Sequence, residues 1–138
     1  MSEIIKVQDK KQKEQLAKLL VDSQKLLRNI NSVKAARTAI SPRISELIKA
    51  QGEEIIAHFI GDLISTLEDN INTKDRMTAN QKANTAIRII DKYKYFKVSD
   101  LVYVFNKIMD GEIKIYGSLT RQVIMGALFE HENLRSQR

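Results

Sequence analysis

Apolar side chains recur at three- and four-residue spacing along most of the chain, the periodicity of helices that bury one face. From about Asp9 to Ala39 neither Gly nor Pro interrupts the pattern, which predicts a long N-terminal helix over 9–40. With Leu16 as an a position, the a and d series reads Leu16, Leu19, Ser23, Leu26, Ile30, Val33, Arg37, Ile40, apolar except at Ser23 and Arg37. That permits a coiled-coil seam, but Leu20 and Leu27 widen the stripe, and packing on a globular core suits it at least as well. Ser41 and Pro42 then predict a fresh helix start, with serine as cap and proline in the first turn. Ile44, Leu47 and Ile48 form its face. Ile55, Ile56, Phe59, Ile60, Leu63, Ile64 and Leu67 continue an apolar stripe, so 42–68 reads as one helix or two, with a break favoured at Gly52.

After a polar loop at 69–76, Thr78 and Gln81 have the spacing of a capping box and predict a helix from Thr78 to about Tyr93. Its apolar stripe is Ala79, Ala83, Ala86, Ile87 and Ile90. Ser99 and Asp100 offer the next cap, Leu101, Val102, Phe105 and Ile108 or Met109 the next buried face, and Gly111 the stop. The segment EIKIYGSL alternates too briefly to make a sheet and reads as an ordered loop. Ser118 is expected to cap a last helix with Val123, Ile124, Ala127, Leu128 and Leu134 inward, and the tail from Arg135 is expected to fray. Met77–Gly117 is the stretch around which the rest should pack, with a core including Ile60, Leu63, Ile87, Ile90, Phe96, Leu101, Phe105 and Leu128. The expected architecture is all-α: a single compact domain over 1–138, five to six helices, with the long basic helix at 9–40 leading into a helical core at 41–138.

Composition narrows the function classes. Hydrophobic residues at 43% and charged residues at 29% describe a chain able to bury a core, so wholesale disorder is excluded. No apolar run is long enough to span a bilayer and the N-terminus has no apolar leader block, so the expected location is the bacterial cytoplasm. Cysteine is absent, which removes disulfides and thiolate chemistry. The net charge of +6 is uneven: residues 1–50 carry eleven Lys or Arg against five acids, while the remainder is balanced. Between Asp22 and Glu46 no acid occurs, and Lys25, Arg28, Lys34, Arg37 and Arg43 make an acid-free block suited to phosphates or an acidic protein face. A solvated helix face explains the same block about equally well.

The search for chemistry is short. Glu54, His58 and Asp62 stand four residues apart on one helix face, but one imidazole with two flexible carboxylates is more often a mutually paired surface than a metal site. No Gly-rich phosphate loop or nucleophile elbow is present, so no catalytic, metal or cofactor residues are assigned and the chain reads as a non-enzyme. Aromatic and basic residues interleave densely only at Lys92, Tyr93, Lys94, Tyr95, Phe96 and Lys97. Phe96 and one tyrosine are expected in the core, leaving Lys92, Lys94, Tyr95 and Lys97 available for a partner or for stacking on nucleic-acid bases.

Over Ser41–Arg135 the segments SPRISELIKAQGEE, MTANQKANTAIRIIDKYKYFKVSDLVYVF and DGEIKIYG resemble an uncharacterised family of short helical proteins of bacterial mobile elements and phages. The resemblance rests on Tyr93, Tyr95, Asp100, Leu101 and the Gly-Glu pairs Gly52-Glu53 and Gly111-Glu112. The sequence departs from that pattern at Ser118-Leu119-Thr120-Arg121 and Gly126. The family's helical layout is similar to that of small phage proteins that load or regulate a replicative helicase. The resemblance therefore implies a non-enzymatic adaptor or regulator, a monomer or weak dimer that binds a nucleoprotein machine. Two alternatives follow: a phage-encoded inhibitor of a host nucleic-acid enzyme, of the anti-CRISPR type, and a protein that binds DNA or RNA directly.

Overall fold

A computed structural model describes residues 30–136, together with helical positions Lys11, Glu14, Gln15, Ala17, Lys18, Leu19, Val21, Asp22 and Lys25. Six helices follow from residue 33: α1 (Val33–Thr38), α2 (Ile44–Gln51), α3 (Glu53–Asp69), α4 (Ala79–Tyr93), α5 (Val98–Met109) and α6 (Arg121–Ser136). No strand occurs among the described residues. The all-α expectation therefore holds.

The expected helix over 9–40 is not continuous. Ile30 and Asn31 leave the helical conformation, and Ser32, at φ −152° and ψ 161°, starts α1 by accepting the Ala35 N–H on Oγ at 3.0 Å. Serine competes for the backbone donors that an uninterrupted helix would use, so a sequence free of Gly and Pro still breaks. Of the rest of the expected helix, the scattered positions described between Lys11 and Lys25 are helical, and the others, Arg28 included, lie outside the described residues. The a and d series also fails at its end, since Ile40 is past α1 and completely exposed.

Gly52 does separate α2 from α3, at φ 95°, where a side chain would be strained. Thr78 and Gln81 form the expected reciprocal cap of α4: the Gln81 N–H donates to Thr78 Oγ1 at 3.1 Å and the Thr78 N–H to Gln81 Oε1 at 2.8 Å. Helix α5 is buried nearly all round, with Val98, Leu101, Val102, Val104, Phe105 and Ile108 in the core. A helix of that kind belongs at the centre. It is packed by α1, α3 and α6, while α3 lies along α4 and against α2.

Three expectations shift. The buried face of α4 is Thr85, Ala86, Ile89, Ile90 and Tyr93, so Ile87 is exposed and Ala79 and Ala83 face outward with it. Leu63 is only partly buried. The start of α6 is held by Thr120, whose Oγ1 accepts the Val123 N–H at 3.3 Å; Ser118 instead accepts the Asp75 N–H at 3.0 Å. That bond, with Leu119 N–H to Thr73 Oγ1 at 2.9 Å and Lys74 N–H to the Gly117 carbonyl at 3.2 Å, fastens the loop at 110–120 to the loop at 70–77. A buried carboxylate, Glu68, bridges α3 to α4 by accepting the Met77 N–H at 2.7 Å and lying 2.7 Å from Lys82 Nζ.

Replacing Phe105 by Ala should cost about 3–5 kcal/mol and Ile89 by Ala about 2–5 kcal/mol in urea unfolding. Ile87→Ala should stay near zero, within about 0.5 kcal/mol. A larger loss at Ile87 than at Ile89 would reverse the phase assigned to α4.

Candidate binding surface

Helices α2 and α5 begin side by side, and each supplies the acceptors that the other's first turn lacks. The Ile44 N–H donates to the Phe96 carbonyl at 2.8 Å and the Ser45 N–H to the Lys94 carbonyl at 2.8 Å. In return the Val98 N–H donates to the Pro42 carbonyl at 2.9 Å and the Ser99 N–H to Ser41 Oγ at 3.0 Å. Arg43 and Lys97, paired in an isolated antiparallel bridge, are the residues immediately before the two helices.

The two starts are also alike in sequence. Arg43-Ile44-Ser45-Glu46-Leu47 and Lys97-Val98-Ser99-Asp100-Leu101 both read basic, β-branched, serine, acid, leucine. In each, the fourth residue's carboxylate reaches back to the first residue's N–H, Glu46 Oε1 at 3.2 Å and Asp100 Oδ2 at 2.9 Å. The second and fifth residues are buried. The caps therefore sit two residues later than Ser41 suggested for α2 and two earlier than Ser99 suggested for α5. Ser41 caps α5 across the junction, and Ser99 Oγ donates to the Ala36 carbonyl at 2.6 Å. The paired motif was the available signal for this arrangement.

Asp100 is fully buried, and so is its partner His131, whose Nε2 lies 2.8 Å from Asp100 Oδ1. Arg135 Nε stands 3.4 Å from Oδ2. The Arg135 guanidinium lies over the Tyr95 and Phe96 rings, 5.8 and 5.6 Å from their centroids, and the Arg135 carbonyl accepts from Arg37 Nη1 at 3.1 Å. Arg135 is thus an ordered part of α6, contrary to the expected fraying; pairing with a buried carboxylate and stacking on rings hold it.

The predicted basic residues divide accordingly. Arg43 and Lys94 are exposed at the junction, and Tyr95 beside them is 39% exposed. Phe96 and Tyr93 are buried and stacked at 4.8 Å. Lys97 is half-buried, with Nζ donating to the Ala39 carbonyl at 2.8 Å, and Arg37 is likewise engaged through Arg135. Lys34 is exposed on α1, which packs on α5 and α6. Lys92 is exposed in the last turn of α4, and Lys25 is exposed among the scattered N-terminal positions. Among the described residues, no hydrogen bond or ion pair ties either to the junction. Because the first-turn amides of α2 and α5 are already paired, an anion here would meet side chains rather than helix ends.

Next to the junction, residues 38–43, Glu46 and Lys97 line an open cleft of about 570 Å³. A separate groove of about 440 Å³ between α3 and α4 holds Glu54, His58, Asp62, Lys82 and Ile87. Burial raises the Asp62 carboxyl above its ordinary pKa, against the opposing pull of His58 and Lys82. Among the described residues no three His, Asp or Glu side chains converge as a metal site, and no helix is long and apolar enough to cross a membrane. No protein-family model, curated protein or solved structure matches the chain.

Asp100→Ala should cost about 3–5 kcal/mol in chemical denaturation, because it strands His131 and Arg135 beside an empty buried site. Ser99→Ala should cost about 1–3 kcal/mol by orphaning the buried Ala36 carbonyl. Arg43→Ala should stay within about 0.5 kcal/mol. An Asp100→Ala variant as stable as the parent would contradict the buried cluster.

Proposed function

We propose that the chain is a non-enzymatic adaptor of phage or mobile-element origin that binds a nucleoprotein machine, such as a replicative helicase complex, through the basic surface at the α2–α5 junction. One observation carries this reading. The two basic segments singled out in the sequence, one ending at Arg43 and the other at 92–97, are hydrogen-bonded to one another through their backbones, which supports a shared basic surface. Arg43 and Lys94 are its exposed cations and Tyr95 its half-open ring, and Lys34 is exposed on the neighbouring α1. Arg37 and Lys97 belong to the scaffold behind it, which leaves fewer cations free for contact than the sequence count implies.

The test is affinity capture from bacterial lysate, with and without nuclease, using the parent and a variant carrying Lys34→Glu, Arg43→Glu and Lys94→Glu. These positions are exposed, so circular dichroism should show unchanged helicity. The parent should retain a replication protein after nuclease treatment and the variant should lose it. A partner that disappears with nuclease, and whose affinity falls steeply with salt, would mean that nucleic acid is the direct ligand. Equal capture by parent and variant at about 0.15 M salt, where exposed charges remain partly unscreened, would overturn the reading.

A further inference from the structure

The loop between α1 and α2 exposes one aliphatic side chain entirely, Ile40 at 103% of its reference area. A lone exposed aliphatic is ordinary on a protein surface. Ile40 differs because the backbone on both sides of it is fastened. Before it, the Ala39 N–H donates to the Ala35 carbonyl at 3.0 Å and the Ala39 carbonyl accepts from Lys97 Nζ at 2.8 Å. After it, Ser41 Oγ accepts the Ser99 N–H and the Pro42 carbonyl the Val98 N–H. Proline fixes its own φ and restricts the residue before it. The β-branched Ile40 side chain is stiff at χ1. An apolar group is thus held toward water with little conformational freedom left to lose, which is the economy of a preorganised contact.

The charges around it indicate what would cover it. Arg43 stands at one side of the cleft that Ile40 helps to line, and Lys94, whose carbonyl caps Ser45, adds a second exposed cation at the junction. A phosphate backbone would also suit those cations, but it has no apolar group to cover Ile40, and Glu46, which lines the same cleft, is turned back to the Arg43 N–H. Ile40 also offers no ring on which a base can stack. Resting on the functional reading above, we infer that this cleft docks an acidic protein segment. An apolar side chain of that segment packs on Ile40 and Pro42, and its flanking carboxylates meet Arg43 and Lys94. Ile40 is the anchor and the cations set the register, the division of labour common at interface centres and rims.

The test selects peptides of about twelve random residues, displayed on phage, against the full chain, then measures the enriched peptides by fluorescence polarisation. They should carry aliphatic or aromatic residues among Asp and Glu. Ile40→Ala should weaken them about tenfold or more, the range of an anchor residue, and Ile40→Val by less than about threefold, since it removes one methylene. Arg43→Glu should weaken them too. Melting temperature should not move in Ile40→Ala, because the side chain has nothing to lose in the free protein. Failure to enrich any peptide, or enriched peptides indifferent to Ile40→Ala, overturns the inference. So does binding of a duplex DNA of about twenty base pairs that weakens with Ile40→Ala, which would make the residue a wedge between base steps. If the charge-reversed variant loses the captured partner while Ile40→Ala keeps it, the basic surface stands and the anchor falls.

Discussion

Two helix beginnings placed against one another are a costly arrangement unless their donors are used. Each brings several amide groups without acceptors inside its own helix and the positive end of a helix dipole. Here α2 and α5 also bring a basic residue each, Arg43 and Lys97, so like charges would collect at one point. The chain offsets this in two ways. The Lys94 and Phe96 carbonyls accept amides of α2, the Pro42 carbonyl and Ser41 hydroxyl accept amides of α5, and Glu46 and Asp100 place a carboxylate in each first turn. Everything proposed for the surface depends on that exchange, because it holds residues 41–45 against residues 94–99.

The buried carboxylate of Asp100 extends the junction into the rest of the molecule. Through His131 and Arg135 it fixes the last turns of α6, and through Arg135 and Arg37 it reaches α1. A buried ion pair or triad is weak evidence for stability, since desolvation can cancel the attraction. Its stronger consequence is geometric: the carboxylate requires its donors, so α1, α5 and α6 meet in one register. Glu68 performs the matching task at the other end, joining the end of α3 to the approach to α4.

What was legible in the sequence was what local chemistry decides. The Thr78 and Gln81 cap, the stops at Gly52 and Gly111, and the burial of Phe96 and Tyr93 depend on a few neighbouring residues, and they were read correctly. Errors came where an acceptor or a wall is supplied from far away. Ser41 looked like the cap of the next helix because serine usually serves its own chain, yet its hydroxyl serves Ser99, 58 residues on. Ile87 and Ile90 fit a three-residue step, but Ile89 and Ile90 are the pair that α3 and α6 cover, and the run Ile87-Arg88-Ile89-Ile90 does not encode which phase is covered. Asp100 reads only as part of a cap and Arg135 as the start of a frayed tail, because charge is rarely buried unless paired and their pairing, with His131, spans more than thirty residues. For the candidate surface, the residue types were legible but their availability was not. Lys97 and Arg37 are basic in any reading, and only the fold directs their donors to backbone carbonyls.

Amide hydrogen exchange followed residue by residue tests the junction most directly. First-turn amides of a helix ordinarily exchange fast, because they lack acceptors. The exchange of acceptors between α2 and α5 predicts that Ile44, Ser45, Val98 and Ser99 are protected nearly to the global unfolding free energy, far above Asn80 in the first turn of α4. Fast exchange at all four, with the centres of α2 and α5 still protected, would show that the two helix starts do not cap each other and that the basic segments do not share a face.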